Sequence, residues 1–156
     1  MSEQMPHHHV KHGKYVLELK TGFSGAHKEI EYPQWAVMGD KDLNGVQFSI
    51  GTSLLTKPFL MIDKAHSHDF NQILFFINSD PKKVTDFDAE VEMTLVETSK
   101  TVKHLINYAA CVNVPAGTIH GPLNIRKVNK PIIFIDVTLT HGFSTPDVSK
   151  YVELPK

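Results

Sequence analysis

The 156-residue chain has one cysteine and one tryptophan, and its 16 lysines and arginines nearly cancel its 17 aspartates and glutamates. Each shortage excludes something. With Cys111 alone, no intrachain disulfide can form, and its place in the run Cys111-Val112-Asn113-Val114 predicts a small core residue in a reducing compartment. A net charge of −1, with the basic residues scattered, offers no electrostatic footprint for nucleic acid or an anionic membrane. No apolar run approaches the roughly 18 residues of a membrane-crossing helix, and residues 1–13 lack the charged-then-apolar order of a secretory leader, so a cytoplasmic location is expected. Apolar residues recurring at helical spacing are also missing, which leaves strands as the building material.

Those strands are well marked. Ala89, Val91, Met93 and Leu95 alternate with Glu90, Glu92 and Thr94, the pattern of a strand with one wet face. The dense apolar run from Gln72 to Ile77 predicts a strand covered on both faces. Further strands are expected over 14–19, 46–55, 59–68, 102–106, 109–114, 124–127 and 131–139. Gly39-Asp40-Lys41-Asp42 and Pro33-Gln34 mark loops, so residues 21–45 are expected to wrap the outside of the domain, with Trp35 as a packing anchor. Many short strands punctuated by Gly and Pro make an all-β sandwich or jelly-roll barrel. One domain over residues 14–140 is expected, preceded by a loosely ordered arm over 1–13 that carries His7, His8, His9 and His12. Residues 141–156 form a C-terminal extension against the domain or a partner subunit. At this length a chain buries roughly 68–70% of its unfolded surface, which is enough for one core.

Two segments carry chemistry: HSHDFNQ from His66 and PAGTIHGPLN from Pro115. On a strand, His66 and His68 leave the same face. Gln72 follows a short turn, and Pro115-Ala116-Gly117 can deliver His120 from a remote hairpin. Three imidazoles with open positions beside them are the donor set of a catalytic metal site.

Here the sequence resembles the cupin superfamily. That family's first motif sets a glycine ahead of His-x-His, an acidic ligand behind it and then a second glycine; Leu60, His66, His68, Gln72 and Ser79 stand at those places. Its second motif runs glycine, Pro-x-Gly, His and Asn, and Ala109, Pro115, Gly117, His120 and Asn124 occupy those positions. The departure with chemical weight is Gln72 where the family usually has Glu. The resemblance implies a jelly-roll barrel binding one divalent metal (Fe, Zn, Ni or Mn) through His66, His68, His120 and Gln72, and a homodimer joined through sheet edges and exchanged N-terminal segments. It also implies that Asn124 holds the turn after His120.

An amide oxygen can coordinate a divalent metal without adding charge, so Gln72 would leave the site dicationic, a stronger Lewis acid but a weaker metal holder. Gln72 can equally stand behind the histidines as a hydrogen-bonding group. If it points inward, so do Leu74 and Phe76, and the metal sits in apolar surroundings. Asp136 is the one acid between Ile132 and Leu139, and a carboxylate there needs a partner or a role. It can reach a simple hydrogen bond, orient a ligand histidine or serve as general base. Asp63, Lys64 and Asp69 are expected to face solvent, Glu90 and Glu92 to lie on a wet face, and His104 and His141 to stand apart from the site.

The function expected is that of a metal-dependent enzyme acting on a small oxygenated organic molecule. Its chemistry is either proton transfer of the isomerase or lyase kind, as in small cupins of uronate breakdown, or dioxygenase chemistry. The alternative is a non-catalytic small-ligand binder or sensor, since the fold alone does not choose.

Overall fold

The structure is a computed structural model and describes residues 9–142 and 149–156, the side chains of Ser149 and Lys150 excepted. His7, His8 and residues 143–148 lie outside the described residues. In chain order the elements are β1 (Val10–His12), β2 (Val16–Glu18), β3 (Trp35–Met38), a single helical turn α1 (Gly39–Asp42), β4 (Ser49–Leu55), β5 (Phe59–Ile62), β6 (His66–His68), β7 (Gln72–Asn78), β8 (Ala89–Glu97), β9 (Lys100–Ile106), β10 (Ala110–Val114), β11 (His120–Val128), β12 (Ile132–Thr138) and β13 (Ser149–Tyr151). The all-β expectation holds. A five-stranded sheet in the order β10-β7-β12-β4-β3 faces a six-stranded one in the order β13-β6-β11-β8-β9, in which β5 also pairs with β11. Pairing is antiparallel throughout.

Strand parity builds the interior. In β7 Gln72, Leu74, Phe76 and Asn78 are buried and the residues between them are half-buried. Ala89, Val91 and Met93 of β8 turn inward. Glu92 stays on the wet face, where it pairs with Arg126 at 3.0 Å. Each inward row changes character along its length. Phe76, Ile132, Ile125 and Val91, all fully buried, fill one end of the barrel with apolar core. The same strands present Gln72, Asp136, His120 and Met93 to a cavity. One end of the sandwich is sealed by apolar contact and the other is left as a chamber.

Several expectations are corrected. The single strand foreseen over 59–68 is two strands, and β11 starts at His120, four residues before the expected Asn124. The break falls opposite a bulge in β11, between His120, which pairs with His66, and Leu123, which pairs with Ile62. Gly121 there has φ +96°, and a Cβ on it would sit 2.6 Å from the Lys64 carbonyl oxygen, so only glycine lets β11 pass this close to the break between β5 and β6. Asn124 therefore holds no turn; it lies within β11, opposite Leu60 and Glu92.

Cys111 is exposed rather than buried, because the β10–β7 register pairs it with Phe75 on the outward side and turns Val114 inward opposite Gln72. The expected arm is in part a hairpin, β1 with β2. His9 is no solvated residue: its ring is 1% exposed, Nε2 donates to the Ala36 carbonyl at 2.5 Å, and Nδ1 accepts from the Lys20 backbone N–H at 2.9 Å. Nor does the segment over 21–45 stay outside. Ile30 joins the core, while Ser24, His27 and Gln34 line the chamber. At the other terminus the Val152 N–H donates to Ala65 O at 3.1 Å and Thr101 Oγ1 donates to Pro155 O at 2.9 Å, tying 149–156 to the six-stranded sheet.

Candidate metal centre

The two motif segments are stitched together by backbone contacts. The Gly117 N–H donates to His68 O at 2.7 Å, and the Ala116 N–H donates to Asn71 Oδ1 at 2.9 Å. Gly117 takes φ +83°, the turn conformation that favours glycine. His120 thereby reaches the register position opposite His66. The ring centroids of His66, His68 and His120 lie 4.2 to 5.0 Å apart, and one nitrogen from each falls within 4.8 Å of the others. All three side chains are buried, and the His68 ring stacks on Phe70 at 4.7 Å. Phe70 escaped the sequence reading, because it sits in what looked like a plain turn.

The tautomers are set for ligation. His66 Nδ1 lies 3.1 Å from the Lys64 carbonyl, and His120 Nδ1 lies 2.9 Å from that of Thr118. A carbonyl only accepts, so each Nδ1 carries the proton and each Nε2 keeps its lone pair for an electrophile. Burial pushes the His120 imidazolium down to about 4, helped by the neighbouring His66 and His68 and opposed by the Thr118 carbonyl, so near neutral pH the ring is neutral. Neutral imidazole is the form that binds metal.

Gln72 stands at the same chamber with a fixed amide. Its Nε2 donates to Asp136 Oδ1 at 2.9 Å. Its Oε1 is buried and, among the described residues, has no hydrogen-bond partner. A buried, unsatisfied carbonyl oxygen costs about 1–3 kcal/mol unless something electropositive faces it. A divalent cation held by the three histidines meets that need, so the donor set fits a metal. Asp136 is thus the partner of Gln72 and not of a histidine.

The chamber has a volume of about 290 Å³. Leu74, Met93, Leu123 and Phe134 make its walls largely apolar, and no lysine or arginine lines it among the described residues. Phe76 is buried as expected but packs on Phe134 in the core and not on the chamber. Asp63, Lys64 and Asp69 are exposed, and His104 pairs with Glu97 at 2.6 Å on the surface. The sequence reading passed over His27, Gln34 and Ser53. None has ligand spacing; the passage of the 21–45 segment over the chamber brings in His27 and Gln34, and β4 supplies Ser53.

The environment of Asp136 gives a test. Burial raises its carboxyl from 3.8 to about 6, against the lowering effect of the Gln72 hydrogen bond. A raised folded value means that the native state holds the proton more tightly, so the associated stability is complete below about pH 4 and is lost as pH rises through about 6. His120 contributes the opposite slope, losing stability as pH falls from 6.5 toward 4. An Asp136→Asn variant removes only the first effect, since the amide oxygen can still accept from Gln72. In chelator-treated protein it should be more stable than the parent at pH 7 to 8 by at most about 3 kcal/mol, less whatever solvation the chamber water gives the carboxylate. The advantage should vanish near pH 4. Urea titrations across this range measure it, and a pH-independent difference would refute the assignment.

No protein-family model matches the chain, and no curated protein matches it by sequence. Solved structures do match. Oxalate decarboxylase from Bacillus subtilis at pH 4.6 superposes with a TM-score of 0.55 at 12% identity, over 77% of this chain and 28% of that one. The formate complex of the Lactobacillus farciminis oxalate decarboxylase gives 0.53 at 16% identity, over 81% of this chain and 34% of that one. The chain thus spans about a third of the length of these enzymes or less. Identities this low speak for the fold alone. Two facing antiparallel sheets, a chamber at one end of the sandwich and these neighbours together identify the chain as having the fold of the cupin superfamily.

Proposed function

We propose that this protein is a metal-dependent enzyme that binds a small oxygenated organic molecule in the chamber and moves a proton on it. The observation that carries this reading is the convergence of three lone-pair-bearing histidines and the unsatisfied Gln72 Oε1 on one partly apolar cavity. His66, His68, His120 and Gln72 would hold one divalent ion (Fe, Zn, Ni or Mn), which supplies Lewis acidity toward a carbonyl, enolate or carboxylate oxygen. All four donors are neutral, so the site's positive charge is not cancelled by its own ligands. The largely apolar chamber walls lower the local dielectric and strengthen that charge. With no lysine or arginine in the lining, an anionic group of the substrate has the metal as its cationic anchor. Asp136 holds the Gln72 amide in orientation.

Anaerobic purification with elemental analysis, followed by a screen of keto and hydroxy acids with and without dioxygen, tests the reading. Stoichiometric metal with oxygen-independent turnover is expected. Iron with oxygen consumption converts the proposal to a dioxygenase, and tight ligand binding without turnover converts it to a sensor.

The proposal includes a reducing cytoplasmic setting, in keeping with the unpartnered single cysteine, and a homodimer. Among the described residues the β1–β2 hairpin pairs with no other strand, and it and the following loop expose Tyr15, Val16, Leu19 and Phe23. A two-stranded hairpin is marginal in water without cover, and a second copy of the chain provides it. Sedimentation velocity at micromolar concentration should show a dimer, and a Tyr15→Asp, Val16→Asp variant should shift it to monomer. A monomeric parent protein at that concentration counts against the dimer.

A further inference from the structure

We propose that His27 is the proton-carrying catalytic residue of the chamber, acting on substrate beside the metal centre. The inference rests on the enzyme reading above and extends it to a residue outside both motifs. Among the described residues five titratable side chains line the chamber: His27, His66, His68, His120 and Asp136. The three clustered histidines are arranged to offer their lone pairs to a metal, and Asp136 is engaged by the Gln72 amide. His27 is what remains. Among the described residues its ring makes no hydrogen bond; its bonds run through the backbone, with the N–H donating to Ser24 Oγ at 3.0 Å and the carbonyl accepting from the Ile30 N–H at 3.1 Å.

Those two bonds close a compact turn, and Ile30, 5% exposed, anchors the turn in the core. The ring leans on Phe59 with centroids 5.7 Å apart and planes at 54°, a contact that limits its rotation without using its nitrogens. A placed imidazole with free nitrogens, facing a chamber that also carries a candidate Lewis acid, is the arrangement proton transfer needs. Partial burial favours its neutral form, with Glu29 opposing. A neutral ring can accept a proton, as a base must.

The substrate class follows from the pairing: a small carbonyl acid, one oxygen of which the metal centre takes while an acidic C–H faces His27. In the step, the C–H bond breaks, its electron pair forms the C=C bond of an enolate as the carbonyl π pair moves to oxygen, and an N–H bond forms on His27. When that proton swaps with solvent before the carbon is reprotonated, the result is exchange, and reprotonation at another carbon gives isomerisation. Neither needs a reactant beyond water.

The test uses pyruvate as a minimal enolisable probe and the full-length, zinc-loaded protein in D₂O, with loss of the methyl proton signal followed by NMR. The parent protein should catalyse exchange, and its His66→Ala variant should not. His27→Gln should keep stoichiometric zinc and the parental thermal midpoint while exchange falls at least about 100-fold. Added imidazole should restore exchange in His27→Ala, a result that structural damage cannot produce. If exchange depends on His66 but survives His27→Gln, the assignment of His27 is wrong and the enzyme reading stands. If the parent shows no exchange beyond its His66→Ala variant, the proton-transfer reading falls, and this inference with it.

Discussion

Replacing any one of His66, His68 or His120 with alanine should leave the protein folded and almost free of metal. The three nitrogens lie within 4.8 Å of one another, so each supplies a third of the clustered imidazole donors, and His27 of the same chamber lies outside that cluster. Loss of a group that merely supports a ligand costs 10- to 100-fold in metal affinity, so loss of the ligand itself should exceed about 100-fold. Metal content should fall from about one ion per chain to below detection after dialysis, and any turnover should go with it. His104→Ala is the matching control. That ring pairs with Glu97 on the surface, so its removal should leave metal content unchanged. In the occupied parent, nitrogen-to-metal distances of about 2.0–2.2 Å are expected by X-ray absorption. A triple alanine variant that retained stoichiometric metal would end this reading of the site.

Gln72→Glu should tighten metal binding and slow turnover of an anionic substrate. The carboxylate adds a charge to the donor set, which holds the ion more strongly but weakens its pull on a substrate oxyanion. Opposite movement of the two quantities marks a direct ligand. The local cost differs from that of a free carboxylate, because the substitution also replaces the amide that donates to Asp136 at 2.9 Å. Two carboxyls that close cannot both ionise in the metal-free protein, so one holds a proton until a cation displaces it. Gln72→Ala removes the unsatisfied oxygen and leaves Asp136 without its donor. Metal affinity should drop by about 10-fold or more, with a changed coordination spectrum. Full affinity and an unchanged spectrum in Gln72→Ala would show a three-histidine site with Gln72 standing behind it.

The two motifs were legible because they are local: His66 and His68 share a strand face by parity alone, and Pro115-Ala116-Gly117 is turn chemistry wherever it occurs. Inward-pointing Gln72, Leu74 and Phe76 followed from the same period of two. The errors fall where local signals mislead. The strand expected from Asn124 starts at His120, with Gly121 inside β11, where the approach of Lys64 O leaves no room for a side chain. Cys111 looked apolar enough for the core, yet the β10–β7 register turned it outward. Register depends on which strands meet, and no window of sequence contains both.

From the sequence alone came the all-β class, the candidate donors His66, His68, His120 and Gln72, and the oddity of a buried acid at Asp136. Tertiary structure decided the rest: that Asp136 serves the Gln72 amide across 64 positions of sequence, and that His27 reaches the chamber at all. The physical reason is the same in both cases. Parity and turn propensity act over a few residues and leave a readable pattern, whereas a hydrogen bond or a cavity wall made between distant segments depends on the packing of whole sheets.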